Sequence, residues 1–242
     1  IDYIIMNHTE PDHSGSILTL LEINPDITIV GTSAAIKNIR NIVNRDFNSL
    51  VVKTGDKLSL GNGMDAEFIV SPNLHWPDSM FTYFPEQKTV FTCDFLGCHY
   101  CEPLLTDDEI TYPNAYTSAF AYYYSAIFGP FKKFVIDGLD HLDKLDFDMV
   151  CTSHGPVLKN GFKKAMGLYR EWSLPKIKEK NVAIFYVSAY GYTKSAAEAF
   201  KEELTKLGIK TEAYNIIEHS YGELVEAFEN ASGVMFGSPT IN

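Results

Sequence analysis

Four side chains able to ligate a metal, His8, Glu10, Asp12 and His13, fall within six residues, directly after an apolar run at residues 1–6. That run has the length and β-branching of a buried strand. A loop leaving such a strand can aim alternate residues into one cavity, so His8, Glu10 and Asp12 converge while His13 reaches in from beside them. Burying this much charge without a cation is very costly. The segment is therefore either a solvated turn or the centre of a metal site. Three later positions favour the metal. His75, within Leu74-His75-Trp76-Pro77-Asp78-Ser79, Asp94, after Val90-Phe91-Thr92-Cys93, and His154, before Gly155-Pro156, each stand at the end of a predicted strand, where sites on sheet scaffolds gather. Four imidazoles and three carboxylates exceed the needs of one tetrahedral ion. Two metals sharing a carboxylate are implied. The oxygen-rich donor set favours iron or manganese over copper, and no thiolate is needed.

The rest of the first part alternates short strands and helices. Strands are predicted at residues 27–30, 58–60, 66–70, 80–84, 89–93 and 149–153, and helices at 17–23 and 33–43. A long aromatic stretch at 116–145 reads as helical with a break at Gly129-Pro130, and a closing helix spans 161–178. This α/β pattern suits two sheets flanked by helices. The charged residues 176–180 read as a linker. A second rhythm follows: strand 182–187, helix 194–207, strand 209–214, helix 223–228 and strand 233–236. Such a βαβαβ order implies a doubly wound parallel sheet. Domains are expected at 1–178 and 179–242. Both ends read as cuts through folded domains, so an internal fragment is expected, lacking the start of the first domain and the end of the second.

Between the first strand and first helix of the second domain lies Ser188-Ala189-Tyr190-Gly191-Tyr192-Thr193. Hydroxyls and free N–H groups at a helix N-terminus cradle a phosphate, and Gly191 permits close backbone approach. The plainer reading is a serine-rich helix cap. No Gly-x-Gly-x-x-Gly is present, so a dinucleotide fingerprint is absent. The segment resembles the phosphate loop of flavodoxins, Ser/Thr-x-Thr-Gly-x-Thr, with Tyr190 in place of the middle Thr. Ser238, Pro239, Thr240, Ile241 and Asn242, after the third strand, resemble the flavodoxin loop that lies along the isoalloxazine ring. FMN is the cofactor this likeness implies.

The metal motif carries a wider resemblance. His-x-His-x-Asp-His marks zinc hydrolases of the metallo-β-lactamase superfamily. Here the second His is Glu10, and His-x-Glu-x-Asp-His resembles the flavodiiron proteins, or A-type flavoproteins. Their lactamase-like domain is followed by a flavodoxin-like domain, so the likeness runs along the whole chain. It implies a metallo-β-lactamase-like αββα sandwich followed by a partial flavodoxin-like sheet. It also implies one iron held by His8, Glu10 and His75, a second held by Asp12, His13 and His154, and Asp94 bridging them. The implied activity is reduction of dioxygen to water or of nitric oxide to nitrous oxide. Electrons would pass from a rubredoxin-like donor through FMN to the two irons. The implied assembly is a head-to-tail homodimer, the flavin of one chain beside the irons of the other. Tyr122, Tyr123, Tyr124 and Trp172 are the aromatic anchors the sequence offers for it. A dizinc hydrolase is the alternative, and Glu10 argues against it. A third reading is an electron-carrying flavodoxin on an inert scaffold, against which the complete donor set argues.

A net charge of −11 without a Lys/Arg stripe disfavours nucleic acid as a partner. No run of 18 apolar residues exists to span a membrane. Four sparse cysteines argue against a disulfide scaffold, and a reducing cytoplasm is the expected location. Cys98-His99-Tyr100-Cys101 lacks the second pair a structural zinc site requires. Its proximity to Asp94 leaves open a redox role for the pair and a ligand-orienting role for His99.

Overall fold

The computed structural model describes residues 1–174 and 180–240. The chain divides into two compact units, Ile1–Leu174 and Pro175–Asn242.

In the first unit β1 (Tyr3–Met6), β2 (Thr28–Gly31) and β3 (Asn48–Val51) form a parallel sheet with β2 in the middle. A second sheet runs in order through β4 (Lys57–Ser59), β5 (Asp65–Val70), β6 (Met80–Phe84), β7 (Thr89–Cys93) and β8 (Met149–Thr152). It is antiparallel as far as β7, which pairs in parallel with β8. Three apolar layers define the stacking. Ile29 and Met6 pack with Ile36, Ile39 and Leu21 of helices α2 (Ile17–Ile23) and α3 (Ser33–Val43). Val30 and Val52 meet Ala66, Phe68 and Met80 between the sheets. Phe81, Val90 and Val150 pack under helices α4 (Pro113–Tyr123), α5 (Lys132–Leu142) and α6 (Phe162–Ser173). Helices therefore cover both outer faces of a sheet pair, the αββα sandwich of the metallo-β-lactamase fold.

The α3 span matches its apolar spacing, with Ala35, Ile36, Ile39 and Val43 buried on one face and Thr32 capping it by accepting from the Ala35 N–H at 3.1 Å. Several expectations need correction. The expected buried strand at residues 1–6 is a strand only from Tyr3, and of its residues only Met6 is fully buried, because β1 lies at the edge of its sheet. The expected loop after it contains a helical turn, α1 (Pro11–Ser14), opened by Pro11, whose ring presets φ. Strand β3 was not expected at all, and most of its residues are exposed. In the aromatic stretch the α-helical path ends at Tyr123, giving way to a π-helical turn at Tyr124–Phe128 before Gly129-Pro130 is reached. The closing helix ends at Ser173, and residues 175–179 of the expected linker lie outside the described residues.

In the second unit β9 (Asn181–Tyr186) lies between β10 (Lys210–Asn215) and β11 (Gly233–Gly237), all parallel. Helices α7 (Tyr192–Lys206) and α8 (Tyr221–Asn230) make the two connections. The chain passes from β9 to one neighbour and then crosses to the other side, so strand order reverses at β9, between its partners. Ligands of doubly wound sheets bind beyond the strand C-termini at such a switch point. Among the described residues no helix is long and apolar enough to cross a membrane.

Candidate metal centre

The ends of β1, β7 and β8, with the turn between β5 and β6, bring seven donor side chains to one place. His8 follows β1 and is 1 % exposed. Pro11 then folds the chain into α1, held by the Ser14 hydroxyl, which donates to the carbonyls of Thr9 (2.9 Å) and Glu10 (3.1 Å). This turn carries Asp12 and His13. Asp94 directly follows β7, His75 sits in the β5–β6 turn, and His154 lies two residues past β8. The backbone at Asp94 is constrained, with Cys93 at φ 55° and Leu96 at φ 67°. Non-glycine residues tolerate that region only when packing holds them, and both are buried.

Asp94, 2 % exposed, divides the cluster. Its Oδ2 lies 3.4 Å from His75 Nε2 and 3.7 Å from His8 Nε2. Glu10 Oε2 completes that group, 3.4 Å from each of the same two nitrogens. Asp94 Oδ1 lies 3.1 Å from His154 Nε2 and 3.2 Å from His13 Nε2. Asp12 completes the second group, with Oδ2 3.1 Å from His154 Nε2 and Oδ1 3.6 Å from His13 Nε2. Three overlapping groups could hold a cation, His8–Glu10–His75–Asp94, Asp12–His13–His154 and His13–Cys93–Asp94, and burial raises the Cys93 thiol, which disfavours the last. Asp94 Oδ2 is buried with no hydrogen-bond partner, which a buried oxygen normally avoids. A cation in the first cluster would satisfy it, so the donor set fits two metals.

Electrostatics follow from this crowding. Burial works against ionised Asp94, yet the hydrogen bond with His13, the His75 ring beside Oδ2 and the nearby imidazole charges hold its pKa well below the usual carboxylate range. The His13 pKa is raised, first by its hydrogen bond to Asp94 and against the opposing effect of burial. Burial lowers that of His8, but Asp78, Asp94 and Glu10 outweigh it and raise the net value.

Two contributors escaped sequence reading. Tyr123, at the end of α4, donates its hydroxyl to Asp94 Oδ1 at 3.1 Å. Tyr123 and Tyr124 are buried in the core beneath the helices, which removes both as interface anchors. Tyr122 is exposed, and Trp172 is half-buried against the same core. Asp78 is fully buried, its Oδ2 3.3 Å from His8 Nδ1. His99 is exposed, its ring edge-on to Tyr123 and His154 at centroid distances of 4.8 and 5.2 Å. Cys98 is buried and Cys101 exposed. Burial pushes the Cys98 thiol up to about 12, which makes it a poor nucleophile.

In the second unit Ser188, Ala189, Tyr190 and Gly191 join β9 to α7, and Tyr192 and Thr193 form the first turn of α7. The Ser188 hydroxyl accepts from the N–H groups of Gly191 (3.1 Å) and Lys194 (3.2 Å), and Gly191 has φ 88°. Ser238, Pro239 and Thr240 follow β11. The Val187 N–H donates to the Gly237 carbonyl at 3.0 Å, and a Cβ on Gly237 would come 3.0 Å from the Thr193 methyl. The two segments thus adjoin at the switch point of the sheet. Ile241 and Asn242 lie outside the described residues.

A lactamase-type sandwich with a carboxylate shared between two donor clusters defines a dinuclear metalloprotein of the β-lactamase superfold. The family model described as "ODP family beta lactamase" matches residues 1–155. A flavo-diiron protein of Clostridium acetobutylicum is 46 % identical over the whole chain, and a diflavin flavoprotein A of Synechocystis sp. is 38 % identical. The chain spans 62 % of the first and 42 % of the second. Among solved structures, a metal-soaked flavodiiron core from Synechocystis sp. superposes with a TM-score of 0.69 at 29 % identity, over 100 % of this chain and 60 % of that one. Rubredoxin oxygen:oxidoreductase from Desulfovibrio gigas matches with a TM-score of 0.69 at 26 % identity, over 100 % and 61 %. The chain belongs to the ODP beta-lactamase family and, within it, to the flavodiiron proteins. Flavodiiron proteins carry a non-haem diiron site and FMN.

Proposed function

We propose that this chain forms the diiron and part of the flavin module of an enzyme reducing dioxygen to water, nitric oxide to nitrous oxide, or both. The observation that carries this reading is Asp94, one oxygen facing each donor cluster. His8, Glu10 and His75 would hold one iron, Asp12, His13 and His154 the other, with Asp94 bridging. The four carboxylates of the neighbourhood, Asp78 included, match the charge of two divalent cations. Two irons so held supply paired electrons and open positions for a small diatomic molecule.

The chain's own residues do the rest. The imidazoles present neutral nitrogen donors once deprotonated. Tyr123 holds Asp94 Oδ1 in place and keeps a hydroxyl proton within the pocket. Phe128 and Trp76 pack edge-on to His75 and His8 and hold those rings in place. Ser188, Gly191, Tyr192 and Thr193 would take the FMN phosphate, and Ser238, Pro239 and Thr240 would lie along the ring. The position of both segments at the switch point supports that assignment. A rubredoxin-type donor and a head-to-tail homodimer are the partners this reading requires. A dizinc hydrolase would make no use of the flavin segments.

The test is the full-length protein prepared anaerobically, with iron and FMN quantified and each gas supplied in turn. Turnover with dioxygen or nitric oxide that scales with iron content is the expected result. Hydrolytic activity with zinc and none with either gas would overturn the reading.

A further inference from the structure

We propose that Asp78 is a positioning residue for the metal centre: it accepts the Nδ1 proton of His8 and so leaves Nε2 as the lone-pair donor to the cation shared with Glu10, His75 and Asp94. This assignment rests on the diiron reading and adds to it a residue outside the seven-donor set.

The geometry is specific to that role. His8 Nε2 faces Glu10 and Asp94, whereas Nδ1 lies 3.3 Å from Asp78 Oδ2. A neutral imidazole carries one proton, and whichever nitrogen donates a hydrogen bond leaves the other as ligand. A carboxylate at Nδ1 fixes that choice, orients the ring and makes the liganding nitrogen more basic. Trp76 packs edge-on to the His8 ring at a centroid distance of 5.1 Å and limits its tilt.

Asp78 is itself held by a small hydrogen-bonded network. The Thr9 hydroxyl donates to its Oδ2 at 2.7 Å, and Asn38 Nδ2 on α3 donates to that hydroxyl at 3.0 Å. The hydroxyl of Thr32, which caps α3, donates to the Asp78 carbonyl at 3.1 Å. Asn38, through Thr9, ties the carboxylate to α3, and Thr32 ties the Asp78 backbone to the same helix. Its other oxygen, Oδ1, has no hydrogen-bond partner among the described residues. A side chain retained only for stability would not be a fully buried carboxylate with an unsatisfied oxygen, since apolar replacement is commonly neutral or better. A carboxylate opposing a metal-bound imidazole has a reason to be charged there.

The experiment adds 57Fe(II) anaerobically to the metal-free full-length protein against a competing chelator, with Mössbauer spectra separating the two irons. Asp78→Asn keeps the shape and removes the charge, Asp78→Leu removes the acceptor, and Thr9→Val removes one support. Expected is a loss of affinity of about 10- to 100-fold at the His8 side for the Asp78 variants, smaller for Thr9→Val. The Asp12–His13–His154 side should stay within about twofold. That asymmetry separates positioning from general destabilisation, which weakens both sides. As a second readout, the zinc-loaded wild type should show a slowly exchanging His8 Nδ1 proton by NMR that shifts in Asp78→Asn. Equal loss at both sites, no loss at either, or an unshifted proton overturns the proposal. A wild type that takes up a single iron sinks the diiron reading and this inference together, whereas two irons in the wild type and unaltered variants sink the inference alone.

Discussion

Asp94 Oδ1 accepts from the Tyr123 hydroxyl and lies close to two imidazole nitrogens, while Oδ2 has no hydrogen-bond partner among the described residues. Removing the carboxylate exposes both clusters to unbalanced charge, so Asp94→Ala should lose both irons, measured by metal analysis after anaerobic loading. Tyr123→Phe keeps the ring and deletes one donor to a charged acceptor. It should cost about 1.5–3 kcal/mol in urea unfolding of the metal-free protein. The titration shifts set a pH window. Asp94, held low, contributes stability that is present above its unfolded value of about 3.9 and lost as pH falls toward the depressed one. His8 and His13, held high, contribute stability present below about 6.5 and lost as pH rises through their raised values. The metal-free protein should therefore have its highest Tm between about pH 4 and 6.5. In the metal-loaded protein the imidazoles are already neutral, so the Tm gap between the two forms should widen above that range. A gap that narrows instead contradicts the raised histidines. At this scale the sequence was informative where chemistry is dense, as in the His8–His13 segment. Asp78 and Tyr123 gave no signal, because one acid between Pro77 and Ser79 and one Tyr among many look like ordinary filling. Only the fold shows which of them faces a ligand.

Turns rather than regular elements deliver most of the donors. Gly97 and Gly155 bring the Asp94 and His154 turns together. A Cβ on Gly97 would stand 2.9 Å from the His154 carbonyl oxygen and 3.0 Å from that of Asp94. Gly155 has φ +85°, and its Cβ would meet the Cys98 Sγ at 2.8 Å and carbonyl oxygen at 2.9 Å. Gly155→Ala should cost about 1–3 kcal/mol and displace His154. Metal analysis should then find the Asp12–His13–His154 side depleted and the other side filled. Equal filling of both sides contradicts this division of labour. The helices and central strands were legible because burial imposes a period, as Ile36, Ile39 and Val43 show on α3. Strand β3 was not, because Asn48–Val51 is mostly exposed and owes its shape to pairing with β2. Neither was the π-helical turn, whose single wide turn leaves no period. It buries Tyr124 and Phe128, and Phe128 meets the His75 ring edge-on at a centroid distance of 6.0 Å.

Across the whole molecule, the proposed metal donors lie in the unit Ile1–Leu174 and the proposed FMN segments in the unit Pro175–Asn242. Electron flow between them is proposed to cross between chains of a homodimer. A mixed dimer of full-length chains tests this, one disabled in the loop at residues 188–193 and the other carrying Asp94→Ala. One composite site stays whole, so about half the activity should return. Heterodimers that form yet regain nothing contradict exchange between chains. All of this depends on two irons meeting at Asp94. Anomalous scattering at the iron edge, from crystals of full-length protein expressed with iron and kept anaerobic, measures that directly. The expected result is two iron peaks per chain, one among His8, Glu10 and His75 and one among Asp12, His13 and His154, with Asp94 between them. A single peak, or zinc without iron at both positions, contradicts it.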